Sequence, residues 1–399
     1  MLTIKNNIGV ETKVYAETFE YEAYEQIKKL INFEPYQKSK VRIMPDAHAG
    51  KGCTVGTTMT IDNKVTPNLV GVDIGCGMLT VKLKDKDIDL EKLDVVINKF
   101  IPSGFNVHSK SGVKRNSTLE KSLYNLKCQD KVDLKRALLS VGTLGGGNHF
   151  IEVDKGSDGS LYLVIHTGSR KLGGDVCKYY QDKAFQNVNE MKRVTSNLIN
   201  ELKREGREKE INDQLKLIQK PSADKDLACL EGSDFDDYLH DMAITQMFAV
   251  ENRNMIANII LKNTGLVEDY RFETIHNYID FKRMILRKGA VSAELNETLL
   301  IPINMRDGSL LCKGKGNEEW NFSAPHGAGR LMSRSKAKEN ISLESFEDTM
   351  KGIYTSSVME STIDEAPQAY KDMGEIVRNI QDTVEVMDII KPIYNFKAH

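Results

Sequence analysis

Apolar residues recur along this chain with two different periods, and the switches between them mark out its elements. A short strand and then a helix at Tyr21–Asn32 fill the first forty positions, and Val41–Met44 alternates as a strand does. Strands are predicted again at Thr54–Ile61 and Met78–Leu83, and a helix at Asp87–Phe100 with Leu90, Leu93, Val96 and Ile97 on one face. Ser103–Asn116 is polar, with Lys110, Lys114 and Arg115, and reads as a flexible, solvated surface loop. A helix at Leu119–Leu139 precedes strands running to Val153 and at Leu161–Ile165. From Lys171 to Gly265 the period is helical almost throughout. Val194, Leu198 and Leu202 repeat every four residues, Gly206 interrupts, and Ile211, Leu215 and Ile218 resume, as in a helical hairpin. Pro221 ends that pattern, and a long helix follows at Asp234–Leu261. Strands return at Tyr270–Ile275, Met284–Leu286 and Leu299–Ile303, and residues 342–395 read as mostly helical.

The pattern describes one catalytic unit, residues 1–399, interrupted by a mainly helical insertion at about 171–265. Composition narrows the class further. Apolar content of 40% and charged content of 28% are those of an ordinary globular chain. No apolar run is long enough to span a bilayer, and Met1–Asn7 lacks the apolar core of a secretory signal. The six cysteines show no paired spacing and suit free thiols in a reducing cytoplasm, where the protein is expected. A net charge of −2 argues against coating nucleic acid by bulk charge and leaves room for a local basic groove.

Chemistry concentrates where strands meet glycines. In Val70–Met78 (VGVDIGCGM) a carboxylate and a thiol, Asp73 and Cys76, sit three apart between glycines, so both can point at one spot. Alone, the stretch reads more readily as a buried cysteine in a tight turn, with Asp73 capping a backbone N–H. Its company changes that. Of the eight histidines, His48, His149, His166 and His326 lie within two residues of a glycine, and His276 follows a strand directly. Three or four of these with Asp73 and Cys76 can complete a two-ion site, and imidazole with a thiolate and a carboxylate suits Mn, Fe, Co or Zn better than Mg or Ca. His326 differs, being set among small residues beside Arg330. Backbone N–H groups and a guanidinium can hold a phosphate there, and a neutral imidazole can attack phosphorus. A further metal ligand or a turn histidine are the alternatives at that position.

MPDAHAGKG, VGVDIGCGM, GTLGGGNHFIE, HTGSR, HNY, RKGAVSA and HGAGRLMSR, in this order, closely resemble the RtcB family of RNA-splicing ligases, as does EGSDFDDYL within the helical region. The resemblance implies an α+β fold with a mixed β-sheet catalytic core. It implies an enzyme that joins an RNA 3′-phosphate or 2′,3′-cyclic phosphate to a 5′-hydroxyl, using GTP and two Mn ions through a GMP-histidine intermediate. His326 would be the nucleophile. Cys76 would bridge the ions, with Asp73 and His149 completing one site and His166 and His276 the other. Asn148 and Glu152 would contact the nucleotide, with Pro302, Asn304 and Ser309 of one turn, Ala328, Gly329 and Lys397. Asp46 matches an acidic residue of the RNA-joining site, and Arg170 and Lys288 match residues that hold RNA phosphates. An archease-like activator is a further partner the resemblance suggests. Arg287, Arg330, Arg334, Lys336 and Lys338 beside the motifs would extend a basic groove. Two departures stand out: Ile303-Asn304-Met305 where many members have Gly-Ser-Met, and Ser323-Ala324-Pro325 where a cysteine often precedes the histidine motif. A metal-dependent phosphoesterase or nuclease acting on RNA ends, and a non-catalytic RNA-binding protein, are the competing readings.

Overall fold

The computed structural model describes residues 1–211, 214–215 and 224–397. Among these the strands form a six-stranded sheet, an eight-stranded sheet and two short ribbons, flanked by helices. Both large sheets are mostly antiparallel. Glu11–Val14 beside Val41–His48 and Tyr354–Thr355 beside Val384–Lys397 are the parallel pairs, so the core is mixed, as expected of an α+β fold.

In the six-stranded sheet the order is Leu2–Lys5, Glu11–Val14, Val41–His48, Val55–Thr60, Ile285–Lys288, Asn277–Asp280. Val41–His48 is twice the predicted length and carries Asp46 and His48 within the strand rather than beyond its end. The larger sheet runs Glu268–Ile275, Gly77–Leu83, Leu161–Thr167, Phe150–Lys155, Val384–Lys397, Gly308–Gly314, Thr298–Asn304. Leu161–Thr167 is buried at every position, which accounts for its unbroken apolar run.

Two expectations are corrected. The closing segment is not mostly helical: short helices at Leu343–Thr349 and Met373–Asn379 lead into Val384–Lys397, a 14-residue strand inside the larger sheet. Its β-branched and aromatic residues favour a pleated surface, and Pro392 is tolerated because the register slips between it and Tyr394. The single helix expected at Leu119–Leu139 is two, Thr118–Leu123 and Leu134–Ser140. Between them the backbone N–H groups of Lys127 and Cys128 donate to the buried Asp241 carboxylate at 2.8 and 3.0 Å, bonds that replace those a helix would make.

The helical segment supplies Arg170–Arg204 and Ser233–Thr264; the second arm of the predicted hairpin, 211–218, lies partly outside the described residues. Leu172, Val176, Cys177, Tyr180 and Ala184 of the first helix and Tyr238, Met242, Phe248 and Ile256 of the second are buried. The helical segment therefore helps build the core beneath the sheets.

Candidate active site

Four neighbouring strands of the larger sheet bring one ligand each to the same end. His276 follows Glu268–Ile275, Cys76 precedes Gly77–Leu83, His166 lies near the end of Leu161–Thr167, and His149 precedes Phe150–Lys155. The register sets His166 opposite both Met78 and Phe150. Adjacent strands lie about 4.8 Å apart, which is the reach of a shared metal site. Cys76 Sγ is 3.4 Å from His166 Nε2 and 3.6 Å from His149 Nε2. His149 Nε2 is 3.1 Å from Asp73 Oδ2.

The donor atoms form two triads that share Cys76: Cys76–His166–His276 and Asp73–Cys76–His149, each with its atoms within 4.8 Å of one another. The loop is stitched in place by its partners. His276 N–H donates to the Cys76 carbonyl at 2.9 Å, and the Asn277 side chain donates to the Asp73 carbonyl at 3.2 Å. Asp73 Oδ1 accepts from Ser169 N–H at 2.9 Å, which turns Oδ2 towards His149. A Cβ on Gly168 would collide with the Asp73 carboxylate, so only glycine fits there.

His149 and His166 turn Nδ1 to backbone carbonyls, those of Leu144 at 2.9 Å and Asn148 at 3.2 Å. Donation from Nδ1 leaves each Nε2 lone pair facing Cys76. Burial, then the charges of His149, Lys397 and His326, holds the His166 ring well below the usual histidine range, and burial, then His326 and His166, does the same for His276. Burial and the neighbouring Asp73 push the Cys76 thiol far up. Burial opposes ionisation of Asp73 too, but the His149 bond and charge and Arg170 outweigh it and hold the carboxyl at about 2. His276 Nδ1 is buried with no hydrogen-bond partner among the described residues. Imidazole nitrogens, a carboxylate and a thiol with one weak S–H donor converge here, and a cation among them would relieve their mutual repulsion. The set fits divalent transition ions.

His326 follows the short strand Ser323–Pro325, which pairs with Ala290–Ser292. Its Nδ1 is 2.6 Å from Asp46 Oδ2, and its backbone N–H donates to the same oxygen at 3.1 Å. Asp46, fully buried, thus fixes the ring with Nε2 outward. The resemblance implies a place for Asp46 at an RNA-joining site; here its carboxylate sits on His326. The ring stands 4.8 Å from that of His276. It also forms part of the wall between two cavities. One, about 260 Å³, is lined by Asp73, Cys76 and His276; the other, about 570 Å³, by Asn148, Phe150, Glu152, Pro302, Ala328, Gly329 and Lys397. Asn148, His48 and His326 line both.

Residues 26–398 match the family model described as tRNA-splicing ligase RtcB. The chain belongs to the RtcB family. It is 31% identical over 409 residues to the RNA-splicing ligase RtcB of Escherichia coli K12, covering 91% of each chain. It is 26% identical over 464 residues to the tRNA-splicing ligase RtcB of Aeropyrum pernix, covering 92% of this chain and 90% of that one.

Not every position that the RtcB resemblance singles out reaches the cleft. Asn304 lines it, but its amide closes its own turn: Oδ1 accepts from the N–H groups of Arg306 and Asp307, and Nδ2 donates to Asp307 at 2.8 Å. Ser309, opposite Pro302 on the next strand, is fully buried and outside the lining. Lys397 Nζ meets Glu365 at 2.9 Å and stands over the Phe150 ring. Glu152 lines the cleft floor and accepts from Asn395; burial, against its bonds to Asp154 and Asn395 and the Lys397 charge, pushes it up to about 6. Arg170 reaches His149 Nδ1 at 3.3 Å. Lys288 donates to the carbonyls of Lys51 and Asn68, so its ammonium ties the Lys51 loop to the short helix Pro67–Val70 at the smaller cavity. Arg287 is buried against Tyr278, Asp280 and Ser323 and takes no part in a basic groove.

Sequence reasoning missed Asn252 and Arg253. Arg253, fully buried, donates to Glu273 at 2.7 Å and to the carbonyls of Gly75 and Thr167 at 2.9 and 2.7 Å. Asn252 accepts from Gly142 and Thr143 N–H and donates to Gly168. A polar pair in the middle of an otherwise apolar helix face was the available signal.

Proposed function

We propose that this protein is an RNA ligase that joins 3′-phosphate, or opened 2′,3′-cyclic phosphate, ends to 5′-hydroxyl ends by way of GMP carried on His326. The observation that carries this reading is the place of His326, held by Asp46 where a nucleotide-sized cleft meets the metal cluster. Membership of the RtcB family supports the RNA-ligase part of this reading.

A cleft of about 570 Å³ suits a nucleotide. Glu152, in its lining, would accept from the N–H edge of guanine. His326 Nε2 then attacks the α-phosphorus, and pyrophosphate leaves as the N–P bond forms. A 3′-phosphate oxygen attacks that phosphorus, the N–P bond breaks, and GMP passes to the RNA end. The 5′-hydroxyl finally attacks the RNA 3′-phosphorus, loses its proton and expels GMP. Asp46 keeps the Nδ1 proton throughout, so Nε2 enters and leaves as a lone pair. Manganese is the metal we assign to the two triads; when bound it supplies charge neutralisation for phosphoryl transfer and draws Cys76 to its thiolate. Arg170 would hold an RNA phosphate.

Intact-mass measurement after incubation with GTP and Mn tests the reading. A gain of one GMP, mapped to His326 by peptide sequencing, is expected. Release of products from RNA ends with no adduct would replace the ligase by a phosphoesterase.

A further inference from the structure

We infer that a second cavity, on the far side of Arg170, seats the terminal nucleotide that carries the RNA 3′-phosphate, its base stacked on Phe105. This rests on the ligase reading and adds a base-binding platform to it. The cavity, about 1250 Å³, has Phe105, Arg136 and Arg170 in its lining, with Asp364 and Glu365 also contributing to its wall.

Phe105 is 93% exposed, the most exposed large apolar side chain among the described residues. Exposed aromatics at loop tips are ordinarily mobile, but this one stands on a braced loop. Gly104 N–H donates to Gly145 at 2.8 Å, Asn106 N–H to Ser103 at 3.1 Å, and Arg136 donates to the Phe105 carbonyl at 2.7 Å. The flexible loop expected from its polar sequence is thus tied down at its base. Arg170 joins the platform to the reaction centre: one Nη donates to the Gly104 carbonyl at 3.2 Å while the other lies 3.3 Å from the metal-ligand ring of His149. A Cβ on Gly145 would overlap the guanidinium, so the glycine run makes room for this bridge.

An exposed aromatic on a braced backbone beside cations is an arrangement that binds unpaired nucleotides, through base stacking and phosphate contact. Lys171 and Lys338 already pair with Asp175 and Asp364, so Arg136 and Arg170 are the cations that this platform offers to a phosphate. The strand follows from Arg170. A phosphate held by a guanidinium that touches a metal ligand's ring is the reacting one, and only the 3′ end carries a terminal phosphate.

The test compares Phe105→Ala and Phe105→Trp with the wild type in sealing assays that vary each RNA strand separately. Phe105→Ala should raise KM for the 3′-phosphate strand on the order of tenfold. Guanylylation and KM for the 5′-hydroxyl strand should not change. Phe105→Trp should keep wild-type KM, and its emission should be quenched by a 3′-phosphate oligonucleotide; Trp320, the natural tryptophan, is only 2% exposed and stacked on Tyr15. An oligonucleotide lacking the 3′-terminal base should lose affinity for the wild type but not for Phe105→Ala. Unchanged KM in Phe105→Ala, a change confined to the 5′-hydroxyl strand, or equal loss of the abasic RNA in both proteins overturns the assignment. Absence of a GMP adduct in the wild type strikes the ligase reading instead, and quenching in Phe105→Trp then decides the seat alone.

Discussion

At His326 one hydrogen bond sets the chemistry. Because Asp46 can only accept, Nδ1 must donate and Nε2 must carry the lone pair. Asp46→Asn offers an amide that can donate to Nδ1 and reverse the tautomer, so guanylylation should slow on the order of a hundredfold or more with little loss of fold. Radiolabelled-GTP transfer measures it; a near-normal rate would show that Asp46 does not orient the ring. His326→Ala should form no adduct yet still seal RNA supplied with a ready-made guanylylated 3′ end, since that end already holds its leaving group. Failure on activated RNA despite bound Mn would give His326 a part in the last step. His48 predicts a pH response. Burial, against a bond to the Asp46 carbonyl and with the nearby His326 charge, holds its folded form at about 4, below the usual 6.5. The unfolded chain therefore binds more protons between those values, and stability falls as pH drops from 6.5 to 4. His48→Gln should flatten that slope in urea titrations at pH 6.5 and 4.5; an unaltered slope would place the titration elsewhere.

At the scale of elements, the cluster of donor side chains depends on a helix that contributes none of them. Ser233–Thr264 lies beneath the strand ends, and Asn252 and Arg253 tie down the loops of Gly142–Thr143, Gly168 and Gly75. Arg253→Met keeps much of the volume but strands Glu273, which is pushed up by burial and held back mainly by this guanidinium. It should cost about 3 kcal/mol of stability or more and weaken Mn binding with it. Calorimetry of Arg253→Met and of Arg253→Met with Glu273→Gln checks the cause: recovery of stability without recovery of Mn affinity is expected. Ligand-bearing loops were legible in the sequence because glycines beside His, Cys and Asp at strand ends have few other uses. The supporting pair was not, because Asn252 and Arg253 fall within a helical period that reads as core. Val384–Lys397 was misread for a related reason, as its interior pairing allows apolar residues on both faces and blurs the alternation.

Over the whole molecule, the donor triads draw on residues from Asp73 to His276, so an ion held there joins segments that the chain keeps far apart. Residue types alone leave open which histidines belong to the set; the family resemblance implies both the set and its division into two triads, and the strand order is what brings those residues together. Binding at a site built by the fold stabilises the fold, by about 2.7 kcal/mol at a hundredfold excess over Kd. Mn should therefore raise Tm by several degrees, and a chelator should reverse the rise. The increment should grow with pH, because the ion must displace a proton from a thiol that burial and Asp73 hold far up. Cys76→Ser separates bridging from packing. Serine nearly preserves the volume at this buried position, so without metal its Tm should stay close to the wild type. Its hydroxyl keeps its proton near neutral pH, so the Mn-dependent rise should disappear, along with guanylylation. Differential scanning calorimetry at matched pH, with and without Mn, makes the comparison. A full Mn-dependent rise in Cys76→Ser would mean that the ions are held without a shared thiolate, and the two-triad centre would have to be redrawn.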